Sequence, residues 1–348
     1  MLRLFPRRGD NPGKWKGFTV KAADKITLRL PEAPELFRTF GSHRGCRGLG
    51  PVCVEMCCIF AVLPRIPLAW KTARANTDER ILLKRLLRKL RKRDLLLIDN
   101  GFYSFKLFRK LLDRCCSFII PLQKNTRPNV VETLGKGDYL VDIADSAKRS
   151  RQTMRLRLVY VYREGFRRWR ILTDLLDPVA YPPEEIAQLY HMRWDIETFY
   201  RDFKHTMQAC KWHCKTPDSF HKELAMHMIA AVLIRTVMLE AARSKHRKPA
   251  RLSFSRAVTE ARIFFKRAAQ ALGAGLQNAY AMFVKQCARH VVPAKPGRSY
   301  PRDTQETRRK ARGLSTDNRG RKPKQVKPPT YPALETLTTW HGVCYALS

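Results

Sequence analysis

Leu95, Leu96, Leu97 and Ile98 form an unbroken aliphatic run that ends at Asp99. A strand with one wet face alternates apolar and polar residues, whereas a strand buried on both faces does not. The run therefore reads as the central strand of a sheet covered by helices on both sides. Its surroundings supply the remaining parts. Asn76-Thr77-Asp78 caps a helix expected from Glu79 to Lys92, where leucines recur at helical spacing beside basic residues. Gly101 marks a turn, Ser104 to Cys116 reads as the next helix, and Phe118 to Leu122 as another short strand. Upstream, Phe18 to Ala23 reads as a short strand ending at Asp24. Val52 to Leu63 is apolar enough for a core strand, with Ile66 to Trp70 as its antiparallel partner. Aspartates at the carboxyl ends of strands in an open α/β sheet sit where such sheets gather their active sites.

From about residue 125 to 180 the pattern changes to β-rich. Met154-Arg155-Leu156-Arg157-Leu158 alternates and continues into Val159 to Tyr162, Glu164-Gly165 forms a turn, and Arg168 to Leu172 returns. Several basic side chains share one face of this segment. Lys21, Arg155, Arg157 and Arg170 are expected as contacts to a nucleic-acid backbone.

Pro182-Pro183-Glu184-Glu185 then starts a helix with proline and acids in its first turn. Within it Tyr190, Arg193, Glu197 and Lys204 are spaced Y-x2-R-x3-E-x6-K. At roughly 100° per residue they fall at about 0°, 300°, 340° and 320°, one narrow face, with Trp194 about 40° from Tyr190. A carboxylate beside a guanidinium, an ammonium and a phenol suits a metal-bound phosphodiester: the acid holds a cation and the basic groups hold phosphate oxygens. Taken alone, the Arg193 to Glu197 spacing also suits an exposed helical ion pair, and Trp194 suits core packing as well as stacking on an unpaired base. Apolar helices are expected at about 219–242 and 253–290. The stretch from Ala294 to about Pro332 is rich in Lys, Arg, Pro and Gly, as in a disordered tail.

Lysine and arginine total 68 against 30 acids, a formal charge of +38. That excess points to a polyanionic partner, nucleic acid first. The longest apolar run, Ala225 to Ile234, is short of the roughly 20 residues that span a bilayer, and the first residues lack the apolar core of a secretory signal. The expectation is a cytoplasmic, nucleoid-associated protein with no membrane and no small-molecule cofactor. The paired cysteines Cys57-Cys58 and Cys115-Cys116 suit reduced core thiols. His205, Cys210, His213 and Cys214 match no zinc spacing and read as a loop.

The Y-x2-R-x3-E-x6-K spacing, with Trp194, Phe199-Tyr200 and Lys204-His205-Thr206 around it, resembles the signature of DDE transposases of the insertion-sequence-four family. Leu97-Ile98-Asp99-Asn100-Gly101-Phe102 looks like that family's second aspartate segment, with Asn100 in place of arginine. Asp24 matches the first aspartate through the downstream Leu28 to Glu32 and Phe37 to Gly41. Lys25 and Ile26 stand where the family has glycine and a small hydroxyl residue, and a lysine there would compete with a cation.

The resemblance covers roughly residues 15 to 310. It implies an α/β fold: an RNase H-like mixed sheet flanked by helices, with an all-β insertion before the helix carrying the catalytic glutamate. The expected division is a polar lead (1–14), the first part of the core (15–124), the insertion (125–180), the second part of the core with a helical region (181–292) and a basic tail (293–348). The implied catalytic and metal-holding residues are Asp24, Asp99 and Glu197, with two Mg²⁺ or Mn²⁺ ions. Tyr190, Arg193, Lys204 and Trp194 are the implied DNA contacts. The implied partners are terminal inverted repeats and target DNA, engaged by a homodimer. The family's helical region ahead of the first catalytic strand has no room before Asp24. A catalytically silent, truncated DNA-binding remnant and a metal-dependent nuclease of the same fold are therefore the rival expectations.

Overall fold

The computed structural model describes residues 14–45, 48–123, 126–145, 152–162, 169–271 and 273–293. The polar lead up to residue 13 and the basic tail from residue 294 lie outside them. The strands are β1 (Lys14–Trp15), β2 (Phe18–Arg29), β3 (Ser42–Gly45), β4 (Gly48–Ala61), β5 (Ile66–Arg74), β6 (Asp94–Ile98), β7 (Ser117–Pro121), β8 (Asn129–Gly135), β9 (Asp138–Ala144), β10 (Thr153–Val161) and β11 (Trp169–Thr173). The α-helices are α1 (Pro34–Phe40), α2 (Glu79–Leu86), α3 (Phe105–Leu112), α4 (Pro183–His191), α5 (Trp194–Arg201), α6 (Pro217–Arg243), α7 (Phe254–Ala268) and α8 (Ala274–Arg289).

All eleven strands join one sheet in the order β3-β4-β2-β6-β7-β11-β10-β9-β8, with β1 on β2 and β5 on β4. Strands β2, β4 and β5 form an antiparallel meander, and β6 and β7 add to β2 in parallel. Reading β5-β4-β2-β6-β7 gives the strand succession of an RNase H-like core, in a mixed α/β fold. Every residue of β6 is buried, and its side chains alternate between two cores. Leu95 and Leu97 join the cluster beneath α4, α5 and the first half of α6, while Leu96 and Ile98 join the one beneath α2 and α3. A third cluster packs the end of α6 against α7 and α8.

The β-rich segment does not stand apart from this sheet. Strand β11 pairs antiparallel with β7 (Ile171 opposite Pro121, Leu172 opposite Ile120), and β10, β9 and β8 continue outward. Two of the cations expected to face nucleic acid are instead interior. Arg157 is fully buried. It grips Asp138 with Nε at 2.7 Å and Nη2 at 2.5 Å, while Nη1 donates to the carbonyls of Leu175, Asp177 and Tyr181. The connection from β11 to α4 folds over that face and shuts water out. Lys21 is likewise buried, 2.5 Å from Asp94. Arg170 donates to the carbonyls of Gln123 and Thr126, and the exposed Arg155 pairs with Asp142 at 3.0 Å.

Several boundaries also move. Strand β2 does not stop at Asp24, because β4 pairs with it as far as Arg29 opposite Cys53. The helix after Asp78 relaxes into a 3₁₀ turn at Leu87–Lys89. The helix expected at 253–290 is two, α7 and α8, which pack through Phe264 stacked on Phe283 at 5.4 Å. Gly273 precedes α8 with φ of 53°, a backbone that favours glycine. Helix α6 is long and apolar enough by composition to cross a membrane, contrary to the estimate from its longest uninterrupted run. Yet Phe220, Leu224, Met228 and Ala231 pack on the sheet, and Ile234 to Ala242 on α7 and α8, as in a core helix.

Arg157→Ala should cost about 3–5 kcal/mol, because it strands the Asp138 charge in the interior. Urea unfolding of this variant and of Asp138→Asn/Arg157→Met measures it. The double variant should regain most of the loss, and equal losses in both would contradict this account of the pair.

Candidate active site

The parallel register of β2 with β6 places Ala23 opposite Ile98. One residue further on, Asp24 and Asp99 emerge side by side where β6 ends and the parallel pairing stops. Strand alternation puts both on the same face as Val20, Ala22, Leu95 and Leu97, the face covered by α4 and α5. Asp99 leads into a 3₁₀ turn, Asn100–Phe102, and its Oδ1 accepts from the Asn100 N–H at 2.7 Å. Asp24 Oδ1 accepts from the Lys25 N–H at 2.8 Å, and the Asp24 carbonyl accepts from the Tyr200 hydroxyl at 2.6 Å.

The helix over this face is not continuous. Between α4 and α5 the backbone tightens, with Met192, Arg193, Asp195 and Ile196 each donating to the carbonyl three residues back. After α5 it widens into a π turn, Asp202–Thr206. The first three signature residues nevertheless meet. Arg193 Nη2 donates to Glu197 Oε1 at 2.9 Å, and its guanidinium lies 5.8 Å from the Tyr190 ring and 5.5 Å from the Trp194 ring. Arg193 Nε is buried with no acceptor among the described residues. Tyr190 is buried against Trp169, and its hydroxyl donates to the Ile98 carbonyl at 3.2 Å. In this arrangement the phenol braces the strand end that carries Asp99. Trp194 is 43% exposed, so its ring is not core packing. Lys204 lies on the π turn, and no contact among the described residues joins it to Arg193 or Glu197. Its carbonyl accepts from Cys210 Sγ at 3.2 Å.

The electrostatics tie the acids together. Burial, then the charges of Glu197 and Asp99, raise the Asp24 pKa to about 7 against the lowering effects of the Lys25 N–H and Arg193. Burial works against the Arg193 charge, but Tyr190, Asp99, Glu197 and Asp24 outweigh it and hold the guanidinium above its ordinary value. Burial lowers the Lys204 pKa. Two acids not singled out in the sequence lie nearby, Glu79 beside the Asp99 turn and Glu55 on the opposite face with Lys25. Glu79, raised by burial and by Asp99, lies against Gly101 so closely that a Cβ there would meet its Oε1 at 1.6 Å. Glu55 is buried and takes Lys25 at 3.6 Å, Thr27 at 3.0 Å and His43 at 2.9 Å. Lys25, whose Nζ also donates to the Thr77 carbonyl at 3.3 Å, thus turns to the opposite face from Asp24.

As donors, Asp24, Asp99 and Glu197 fit a hard divalent cation, since all their ligating atoms are oxygen. A positive ion would also relieve the crowding that raises Asp24. Among the described residues no three acid, imidazole or thiol groups are arranged to hold an ion as they stand. His213 instead pairs with Glu223 at 3.2 Å.

Folding favours the protonated form of an acid whose pKa is raised. The Asp24 contribution is thus fully present below pH about 4 and lost as pH rises to about 7. In metal-free buffer, wild-type Tm should fall relative to that of Asp24→Asn across this window. Parallel pH courses for the two proteins would contradict the burial of the Asp24 carboxyl.

Comparison with known proteins identifies the family. The family described as "Transposase DDE domain" matches residues 15–233. Transposase InsG for insertion sequence element IS4, of Escherichia coli (strain K12), is 31% identical over an alignment of 256 residues that covers 69% of this chain and 57% of that protein. The chain therefore spans a little over half the length of this relative. A solved piggyBac transposase synaptic complex with hairpin DNA covers 89% of the chain and 60% of its own, at 11% identity and a TM-score of 0.40, too slight a likeness to carry weight. Family match and relative together place this chain among the DDE transposases of the IS4 family.

Proposed function

We propose that this chain cuts DNA at the terminal inverted repeats of an insertion sequence and joins the freed 3′-hydroxyl ends to target DNA. The observation that supports the reading is that the charges of Asp24, Asp99 and Glu197 act on one another and on Arg193 near the carboxyl end of β6. Two divalent ions held by the three acids would supply Lewis-acid activation of the attacking oxygen and charge for the leaving oxygen.

The remaining roles belong to the chain's own groups. Arg193 holds Glu197 in place and sets a fixed positive charge among the acids. Tyr190 fixes the strand end behind Asp99. Trp194 presents an exposed ring to an unpaired base beside the cut. Lys204 adds a cation at the far end of the helix. The formal charge of +38 draws DNA to the surface and makes binding steeply dependent on salt. Two copies working on paired ends would place the protein on the nucleoid as a dimer.

Glu197→Gln keeps the shape of the side chain and removes its charge. Against DNA bearing the element's own repeats, wild type with Mg²⁺ or Mn²⁺ should give discrete nicks at the repeat boundary and joined products. The variant should lose both by at least about a hundredfold and still bind. Binding without cleavage by the wild type would favour a catalytically silent DNA-binding protein, and cleavage without joined products a nuclease.

A further inference from the structure

A groove of about 230 Å³ opens between the edge strand β5 and helix α2, outside the acid site. Its floor is apolar, formed by Leu68, Ala69 and Leu86, and its walls carry Lys71 from β5 with Arg85, Arg88 and Lys89 from α2 and the turn after it. All four cations are exposed, and among the described residues none has a carboxylate partner. The end of a helix favours nearby cations through its exposed carbonyls, which accounts for Arg85, Arg88 and Lys89. It does not account for Lys71, which comes from a different element and faces them across the groove. Four like charges around one concavity raise each other's free energy unless an anion enters.

The position of the groove is also specific. Asp24 lies opposite Cys58, and Cys58 opposite Trp70. In the next row Lys25 lies opposite Cys57, and Cys57 opposite Lys71. Lys71 is thus two strand spacings, about 10 Å, from β2, and shares with Lys25 the sheet face opposite Asp24. Trp70 also borders the groove but is half-buried and packs against the core on the other face, so charge is the groove's dominant feature. That combination suits the sugar-phosphate backbone of a duplex better than unstacked single-strand bases.

We propose that the β5–α2 groove is a second DNA-binding site, which takes the phosphate backbone of duplex DNA on the sheet face opposite the candidate acids. The inference rests on the DNA-processing reading given above. The site is independent of sequence, and its contribution is electrostatic.

The test measures binding of a random-sequence duplex by fluorescence anisotropy over a range of salt. It compares the full chain, the groove variant Lys71→Gln/Arg85→Gln/Arg88→Gln/Lys89→Gln, and a charge-matched control, Arg262→Gln/Lys266→Gln/Arg267→Gln/Lys285→Gln, on α7 and α8. Each phosphate that the protein ceases to neutralise lowers the slope of log K against log salt by about 0.9, so the groove variant should drop by about 2 to 4 in slope. The control should drop by less than about 1. The half-variants Lys71→Gln/Arg85→Gln and Arg88→Gln/Lys89→Gln should each show part of the effect with unchanged circular dichroism, which separates weakened phosphate binding from unfolding. An unchanged slope, an equal drop in the control, or no preference for duplex over single strand would overturn the groove assignment. Cleavage by the wild type would leave the proposed function standing in each of those cases, whereas a wild type that binds no DNA overturns both.

Discussion

The site depends on a single parallel pairing. Two strands far apart in sequence run side by side in one direction, and the shorter ends one residue before its aspartate. A parallel neighbour requires a long return connection, and here the chain between β2 and β6 supplies it with the β4–β5 meander and α2. Register then fixes the chemistry. A slip of one residue in β2 would exchange Asp24 for Lys25 on the helix-covered face and place an ammonium beside Asp99. The packing resists such a slip because both faces of β2 are buried, with Val20 and Ala22 in one core and Ala23 in the other.

The helix above the acids is tuned by departures from regular geometry. A tight turn at Met192–Arg193 and a wide turn at Asp202–Thr206 flank the regular piece that bears Glu197. Side-chain anchors hold these irregularities: Tyr190 to Ile98 O, Tyr200 to Asp24 O, Asp195 to Arg65, and Asp202 to Arg235 at 2.9 Å. Arg235 is itself interior, ringed by Phe60, Phe199 and Phe254, and burial pushes its pKa down to about 10. An ion pair so enclosed is costly to break and fixes where the wide turn begins. Wide turns of this kind recur at functional sites.

Most of the core was legible in the chain because its signals are local. The aliphatic run of β6, the Asp78 cap, the alternation of β10 and the apolar face of α6 each appear as a period or a cap. What stayed hidden was non-local. Nothing in Leu156-Arg157-Leu158 reveals that the 175–181 connection will fold over Arg157, and the row of basic residues looked like a solvent face for that reason. The end of β2 was misplaced because Asp24 marks the close of only one of its two pairings. The phases of Tyr190, Arg193 and Glu197 survived the tight turn because three residues of slight overwinding rotate a side chain by little. The π turn begins between Glu197 and Lys204 and carries Lys204 itself, so the same calculation has more helix over which to drift. Glu79 carried no signal of its own, since an acid in a first helical turn is ordinary.

Asp24 and Lys25 are joined by a peptide bond, yet the sheet assigns them to different electrical neighbourhoods. The strand acts as a partition: the carboxylate looks toward Arg193 and Asp99, the ammonium toward Glu55 and the Thr77 carbonyl. Position 25 therefore answers to position 55 across the adjacent strand and not to its own neighbour. A charge that would poison the site if read along the chain is stored on the far side of a layer one residue thick.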